Sequence, residues 1–94
     1  MFAPDVPTID ESGLPGFNVT TWDSFVAPAG TPQAAIVRIN AETVKVLRTP
    51  EVRELVHNIG YEPIGSTPQE LAEFIRSETV IWAKVIKDAN IRAD

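Results

Sequence analysis

The stretch Trp22-Asp23-Ser24-Phe25-Val26-Ala27-Pro28-Ala29-Gly30-Thr31-Pro32 decides how this chain is read. Phe17, Val19 and Thr21 lead into Phe25 and Val26, a β-branched and aromatic run that predicts a pleated, partly buried strand over residues 17–27. At Ala27-Pro28-Ala29-Gly30 the run stops, because proline has no N–H for a strand ladder and glycine loosens the backbone. Thr31-Pro32 then opens a helix. The threonine hydroxyl is suited to accept from a free first-turn N–H, and proline at the first helical position gives up no bond. The order is strand, break, helix start. The residues before this stretch are a lead-in, and those after it are helical.

Working outward toward the carboxyl end, Thr-Pro recurs at Thr31, Thr49 and Thr67. The segments between differ in apolar pattern, so this is capping chemistry used three times and not a solenoid repeat. The first helix, from about Pro32 to Leu47, puts Ile36, Ile39, Thr43, Val44 and Leu47 on one face. Arg38 and Glu42 lie on another, spaced to pair. The second, from about Pro50 to Asn58, turns Val52, Leu55, Val56 and Ile59 inward, and Gly60 stands where a left-handed cap is wanted. His57 falls on its polar side near the carboxyl end, where a cation suits the dipole. Tyr61-Glu62-Pro63-Ile64 reads as a sheet edge or an extended link. Thr67-Pro68-Gln69-Glu70 is a capping box that starts a third helix, running to about Ala89. Its stripe of Leu71, Phe74, Ile75, Glu78, Trp82, Val85 and Ile86 has Glu78 as a polar interruption. Val80 and Ile81 lie off that stripe, so this helix is expected to pack between two surfaces.

Toward the amino end, residues 1–7 carry two prolines and are expected to be extended. Thr8-Ile9-Asp10-Glu11 has capping-box spacing, opening about one helical turn before Gly13, Pro15 and Gly16 break it. Glu11 as a general acid would need a second carboxylate at a defined spacing, and none pairs with it. Capping is the simpler role.

Composition sets the outer bounds. Ninety-four residues make at most one small domain, and 44% hydrophobic with 22% charged residues is ordinary for a folded protein. With no cysteine there is no disulfide framework, thiolate metal site or cysteine nucleophile, and one histidine is too few for a triad or a histidine metal set. Neither a catalytic set nor a metal or cofactor site is expected, so the chain does not read as an enzyme. A net charge of -5 argues against nucleic acid as a partner. Residues 1–30 contain Asp5, Asp10, Glu11 and Asp23 and no lysine or arginine. An anion meeting this half would rely on backbone N–H groups and hydroxyls; the plainer reading is a solvated acidic lead-in. No bilayer-spanning apolar run and no signal-peptide pattern is present in these residues.

Taken in order, Asp5-Val6-Pro7-Thr8-Ile9-Asp10-Glu11-Ser12-Gly13-Leu14-Pro15-Gly16-Phe17, Trp22 and Ala27-Pro28-Ala29-Gly30-Thr31-Pro32 form a series. It continues through Pro50-Glu51-Val52-Arg53-Glu54-Leu55, Gly60, Glu62-Pro63-Ile64-Gly65-Ser66-Thr67-Pro68 and Phe74-Ile75-Arg76. This series resembles the carboxy-terminal part of the Bug-type receptors, the extracytoplasmic solute-binding proteins of tripartite tricarboxylate transporters. The resemblance implies an α/β fold, a two-lobed type II periplasmic binding protein. This chain would be a helix-rich carboxy-terminal fragment of it, with one long strand and three main helices. Residues 1–30 would be the lead-in and hinge-like strand, and residues 31–94 the three-helix segment.

On that resemblance the parent captures small carboxylates in a cleft, works with membrane transporter subunits and is periplasmic or extracytoplasmic. Thr21, Trp22 and Ser24 are the candidate ligand-binding residues, Trp22 lying near the cleft or hinge; as a residue type, a tryptophan is ordinarily a core residue. Many family members carry an aromatic or amide and then glycine after this tryptophan, where this chain has Asp23-Ser24. A single strand needs sheet neighbours, since even a two-stranded hairpin is marginal in water. The chain alone is therefore expected to bind no carboxylate usefully and to self-associate. The alternative is a small helical oligomerisation or interaction module.

Overall fold

The computed structural model describes residues 2–94, which contain three helices and no strand. They are α1 (Gln33–Leu47), α2 (Pro50–Asn58) and α3 (Pro68–Asp88). Each helix comes after a Thr-Pro step, yet only one threonine caps as expected. Glu70 N–H donates to Thr67 Oγ1 at 3.1 Å, satisfying a first-turn donor of α3. Thr31 and Thr49 instead donate their hydroxyls backward, to the carbonyls of Pro28 and Val46, each at 2.7 Å. Those threonines close the preceding turn rather than open the next helix, and α1 begins one residue later than expected.

The carboxyl ends of α2 and α3 are built alike. Gly60 N–H donates to the His57 carbonyl at 2.9 Å and Tyr61 N–H to that of Val56 at 3.1 Å, with Gly60 at φ +88°. Asn90 and Ile91 repeat this pairing on Lys87 and Ile86, with Asn90 at φ 52°. Both are Schellman caps, and each satisfies two carbonyls that a helix end leaves free.

The lead-in is a series of turns. Val6 N–H bonds the Ala3 carbonyl at 3.1 Å around Pro4, so residues 3–6 turn where an extended chain was expected; Met1 lies outside the described residues. The Thr8 box forms in both directions: Thr8 N–H donates to Glu11 Oε2 at 2.9 Å and Glu11 N–H to Thr8 Oγ1 at 3.2 Å. It closes a turn rather than a helix. Gly16 N–H reaches back to Asp10 Oδ1, tying the loop shut. Two further turns, Leu14–Phe17 and Pro28–Thr31, each have glycine third at positive φ.

Between those turns the expected strand over residues 17–27 is absent. The segment has no regular structure, and the N–H groups of residues 18–27 make no hydrogen bond within the described residues. The reason is physical. A strand's hydrogen bonds lie in another strand, and no other part of this chain supplies one. Tyr61–Ile64 is likewise irregular, and so serves as a link.

Packing is centred on α1, which touches both α2 and α3. Ile36, Asn40, Thr43, Val44 and Leu47 are half-buried there, as are Val52 and Val56 of α2 and Leu71 of α3. Asn40 Nδ2 donates to the Ser66 carbonyl at 2.8 Å, holding the start of α3 against α1. Gly65 lies so near Val44 that a Cβ there would meet its methyls at 3.6 Å. Ile39, Leu55 and Ile59, expected inside, are exposed, and Arg38 and Glu42 do not pair; the ion pairs among the described residues are Arg76–Glu73 and Lys84–Asp88. No described residue is buried, and the radius of gyration is 16.9 Å, against about 12 Å for a compact chain of this length.

Candidate functional site

The lead-in returns along α3. Trp22 meets Phe74 edge-on, with ring centroids 5.0 Å apart at 78°. Further along, Asn18, Val19 and Thr20 border a hollow of about 30 Å³ with Glu78, Ile81 and Trp82. Since 18–20 lie by 78–82 and 22 lies by 74, the segment runs antiparallel to the helix. Glu78, the polar interruption of the α3 stripe, has a partner there: Trp82 Nε1 donates to its Oε2 at 2.6 Å. At the other end of the lead-in, Phe2 stacks on His57 with centroids 4.5 Å apart.

Thr21, Trp22 and Ser24 therefore share one irregular segment, with Asp23 among them. Trp22 is 38% exposed, held at one edge by Phe74. Thr21 and Ser24 are exposed, and their hydroxyls make no hydrogen bond within the described residues. No second wall faces them. This arrangement offers hydroxyls and free backbone N–H groups from one side only, without a cation. A wider hollow of about 370 Å³ lies on α1, lined by Ala35, Arg38, Ile39, Glu42 and Thr43, all from that one helix. Among the described residues no three metal-ligating side chains gather, and no helix is long and apolar enough to cross a membrane.

Sequence reasoning missed Phe74 and Glu78 as neighbours of the lead-in. Both fall on a helix stripe, and the only signal for their contact is the excess of apolar residues on α3.

Residues 2–91 match the family described as the tripartite tricarboxylate transporter family receptor. The chain belongs to this family. Among curated relatives, it is 42% identical over 92 residues to the UPF0065 protein in the tcbD-tcbE intergenic region of Pseudomonas sp. (strain P51), covering 97% of this chain and 27% of that protein. It is 34% identical over 89 residues to the UPF0065 protein in the TAR-I ttuE-ttuC' intergenic region of Agrobacterium vitis, covering 92% and 26%. It is 33% identical over 89 residues to Protein BugT of Bordetella pertussis, covering 95% and 27%. No solved structure matches. The chain thus spans about a quarter of the length of these relatives. Receptors of this family are periplasmic solute-binding proteins rather than enzymes, and they work with the membrane subunits of a tripartite transporter. Membership implies the periplasmic-binding-protein fold, of which these residues carry a helical portion.

Proposed function

We propose that residues 1–94 are the carboxy-terminal part of a two-lobed receptor that captures small carboxylates for a tripartite tricarboxylate transporter. The observation that carries this reading is the family match over residues 2–91, nearly the whole chain, within only 27% of the Pseudomonas relative. Residues 17–27 act as the crossover between lobes. Thr21, Trp22 and Ser24 stand at the mouth of the cleft, and the anion is held by hydroxyls and backbone N–H groups, because residues 1–30 contain no cation. Closing the second lobe supplies the wall that this segment lacks and excludes water from the carboxylate.

The test is a chimera in which this chain replaces the matching quarter of the Pseudomonas relative. Calorimetric titration with citrate, malate, glutamate and aromatic carboxylates is expected to show saturable binding of at least one by the chimera and none by the 94-residue chain. A folded chimera that binds none of the compounds its parent binds would refute the receptor reading. Micromolar binding by the chain alone would place the whole site within these residues. A second reading, a self-associating helical module, is favoured by the absence of any buried described residue. Sedimentation to one closed oligomer of fixed size would select it.

A further inference from the structure

We propose that Glu78 is a positioning residue for the candidate site, holding residues 18–20 against α3 through one ordered water that it shares with Asn18 and Thr20. As a device for ligand capture this rests on the receptor reading; as an anchor of the lead-in it does not. Glu78 stands apart from every other Asp, Glu, Lys, Arg and His among the described residues. Those side chains are all on exposed residues, and Glu78 is half-buried. It has no ion pair, since the pairs among the described residues are Arg76–Glu73 and Lys84–Asp88. A carboxylate partly withdrawn from water without a cation has to be held by hydrogen-bond donors. One is in place, because Trp82 Nε1 donates to Oε2 at 2.6 Å. That bond leaves Oε1 to be satisfied.

The donors suited to it stand on the lead-in. Asn18, Val19 and Thr20 form one side of the hollow, and Glu78, Ile81 and Trp82 the other. The Asn18 amide and the Thr20 hydroxyl make no hydrogen bond within the described residues. Asn18, Thr20 and Trp22 are spaced two apart, which puts side chains on one side of an extended backbone. Phe74 and Glu78 are four apart, neighbours along one face of α3. Two residues of extended chain advance about 6.6 Å and four residues of helix about 6 Å. The contact of Trp22 with Phe74 therefore brings Thr20 level with Glu78.

Volume decides what joins them. The hollow of about 30 Å³ exceeds the roughly 10–15 Å³ that one water needs and falls far short of a ligand pocket. A carboxylate oxygen, an amide and a hydroxyl give that water three partners, the usual number. Glu78 then has the indole on one oxygen and the lead-in on the other. Its own place is set by α3, and it sets that of Thr20 and of the adjoining Thr21 and Trp22.

Chymotryptic cleavage after Trp22 in the 94-residue chain tests the anchor, because the Trp22 ring must leave Phe74 to be cut. Rates are taken relative to 17–27 peptides carrying the same substitutions. Glu78→Ala is expected to speed cleavage about fivefold, the factor that one hydrogen bond contributes, with helix content by circular dichroism unchanged. Asn18→Ala with Thr20→Val is expected to do the same, and to add nothing further when combined with Glu78→Ala. Glu78→Gln, whose amide oxygen also accepts, is expected to restore cleavage to within about twofold of the parent and to leave the Trp82 indole N–H resonance in place, where Glu78→Ala shifts it. A parental rate in Glu78→Ala, additive effects, or a Gln variant cut as fast as the Ala variant would overturn the anchor. Should Glu78→Ala lose helix, the Asn18 and Thr20 pair, which lies outside α3, decides the matter alone. In the chimera with the Pseudomonas relative, Glu78→Ala is expected to weaken carboxylate binding about tenfold. Unchanged affinity there would overturn the role at the site. A folded chimera that binds no carboxylate would remove the receptor reading and leave the anchor standing on the cleavage rates.

Discussion

Residues 33–88 and residues 18–27 face the same requirement, a partner for each backbone N–H and C=O, and meet it by opposite routes. The helices find their partners three to five residues away, and the Schellman caps at Gly60 and Asn90 satisfy the last carbonyls of α2 and α3 from the same short range. Residues 18–27 have no such recourse. Their side chains favour an extended backbone, whose bonds must come from a strand elsewhere, and among the described residues there is none. One region is complete within its own span, and the other is complete only in company. What the helices achieve within their own span, a sheet strand cannot.

That contrast predicts which substitutions act locally and which reach across the molecule. Gly60→Val is expected to lower helical stability most, by about 1–3 kcal/mol, because a β-branched residue is strained at positive φ. Nothing lies within 4 Å of the added Cβ, so the loss is conformational and not a clash. An unchanged urea midpoint would dismiss the cap. Trp22→Ala removes an aromatic pair worth about 0.5–1.5 kcal/mol. It is expected to free the lead-in, with up to about tenfold faster proteolysis within residues 17–27, and to leave helix content by circular dichroism untouched. Helix loss in step with it would show that the two regions are not separable.

Smaller effects sharpen the comparison within the helices. Thr67→Ala is expected to lose about 1 kcal/mol, the usual value of a helix-capping hydroxyl. Thr31→Ala and Thr49→Ala are expected to lose about half that or less, since their exposed hydroxyls only donate to a carbonyl. Equal losses at all three sites, measured by thermal unfolding, would contradict the difference in hydrogen bonding. Least of all, Arg76→Ala and Lys84→Ala are each expected to shift stability by less than about 0.5 kcal/mol, because both ion pairs are exposed. A shift above about 1 kcal/mol that persists in high salt would mark either pair as more than a surface contact.

The sequence made the local features legible. The helix spans, the Gly60 cap and the reciprocal Thr8–Glu11 bonds depend on residues a few positions apart, and all three stand in the structure. Inward faces were less readable. Ile39, Leu55 and Ile59 fit apolar stripes, yet among the described residues neither α1 nor α2 has enough neighbours to cover them. The strand over residues 17–27 was misjudged for a related reason. Its residue types record a preference for pairing, and preference alone cannot supply the second strand. Of the candidate site, the location of Thr21, Trp22 and Ser24 in one segment was evident from adjacency. Phe74 as the neighbour of Trp22 was not, because their contact spans a separation that no periodicity encodes.

That separation also sets a sequence of events during synthesis. Trp22 leaves the ribosome about fifty residues ahead of Phe74, and at about 5–20 residues per second the β-prone segment waits several seconds for its contact with α3. During that interval its backbone N–H groups are open to pairing, whether with an earlier part of the same polypeptide or with another chain. Asp23, placed in the middle of the run, and Pro15 and Pro28, placed just outside it, then act as guards: a charge that resists stacking in register and two residues that cannot extend a ladder. On this view Asp23, which brings a negative charge beside a candidate anion site, serves the chain before it is folded, whatever it does to a ligand.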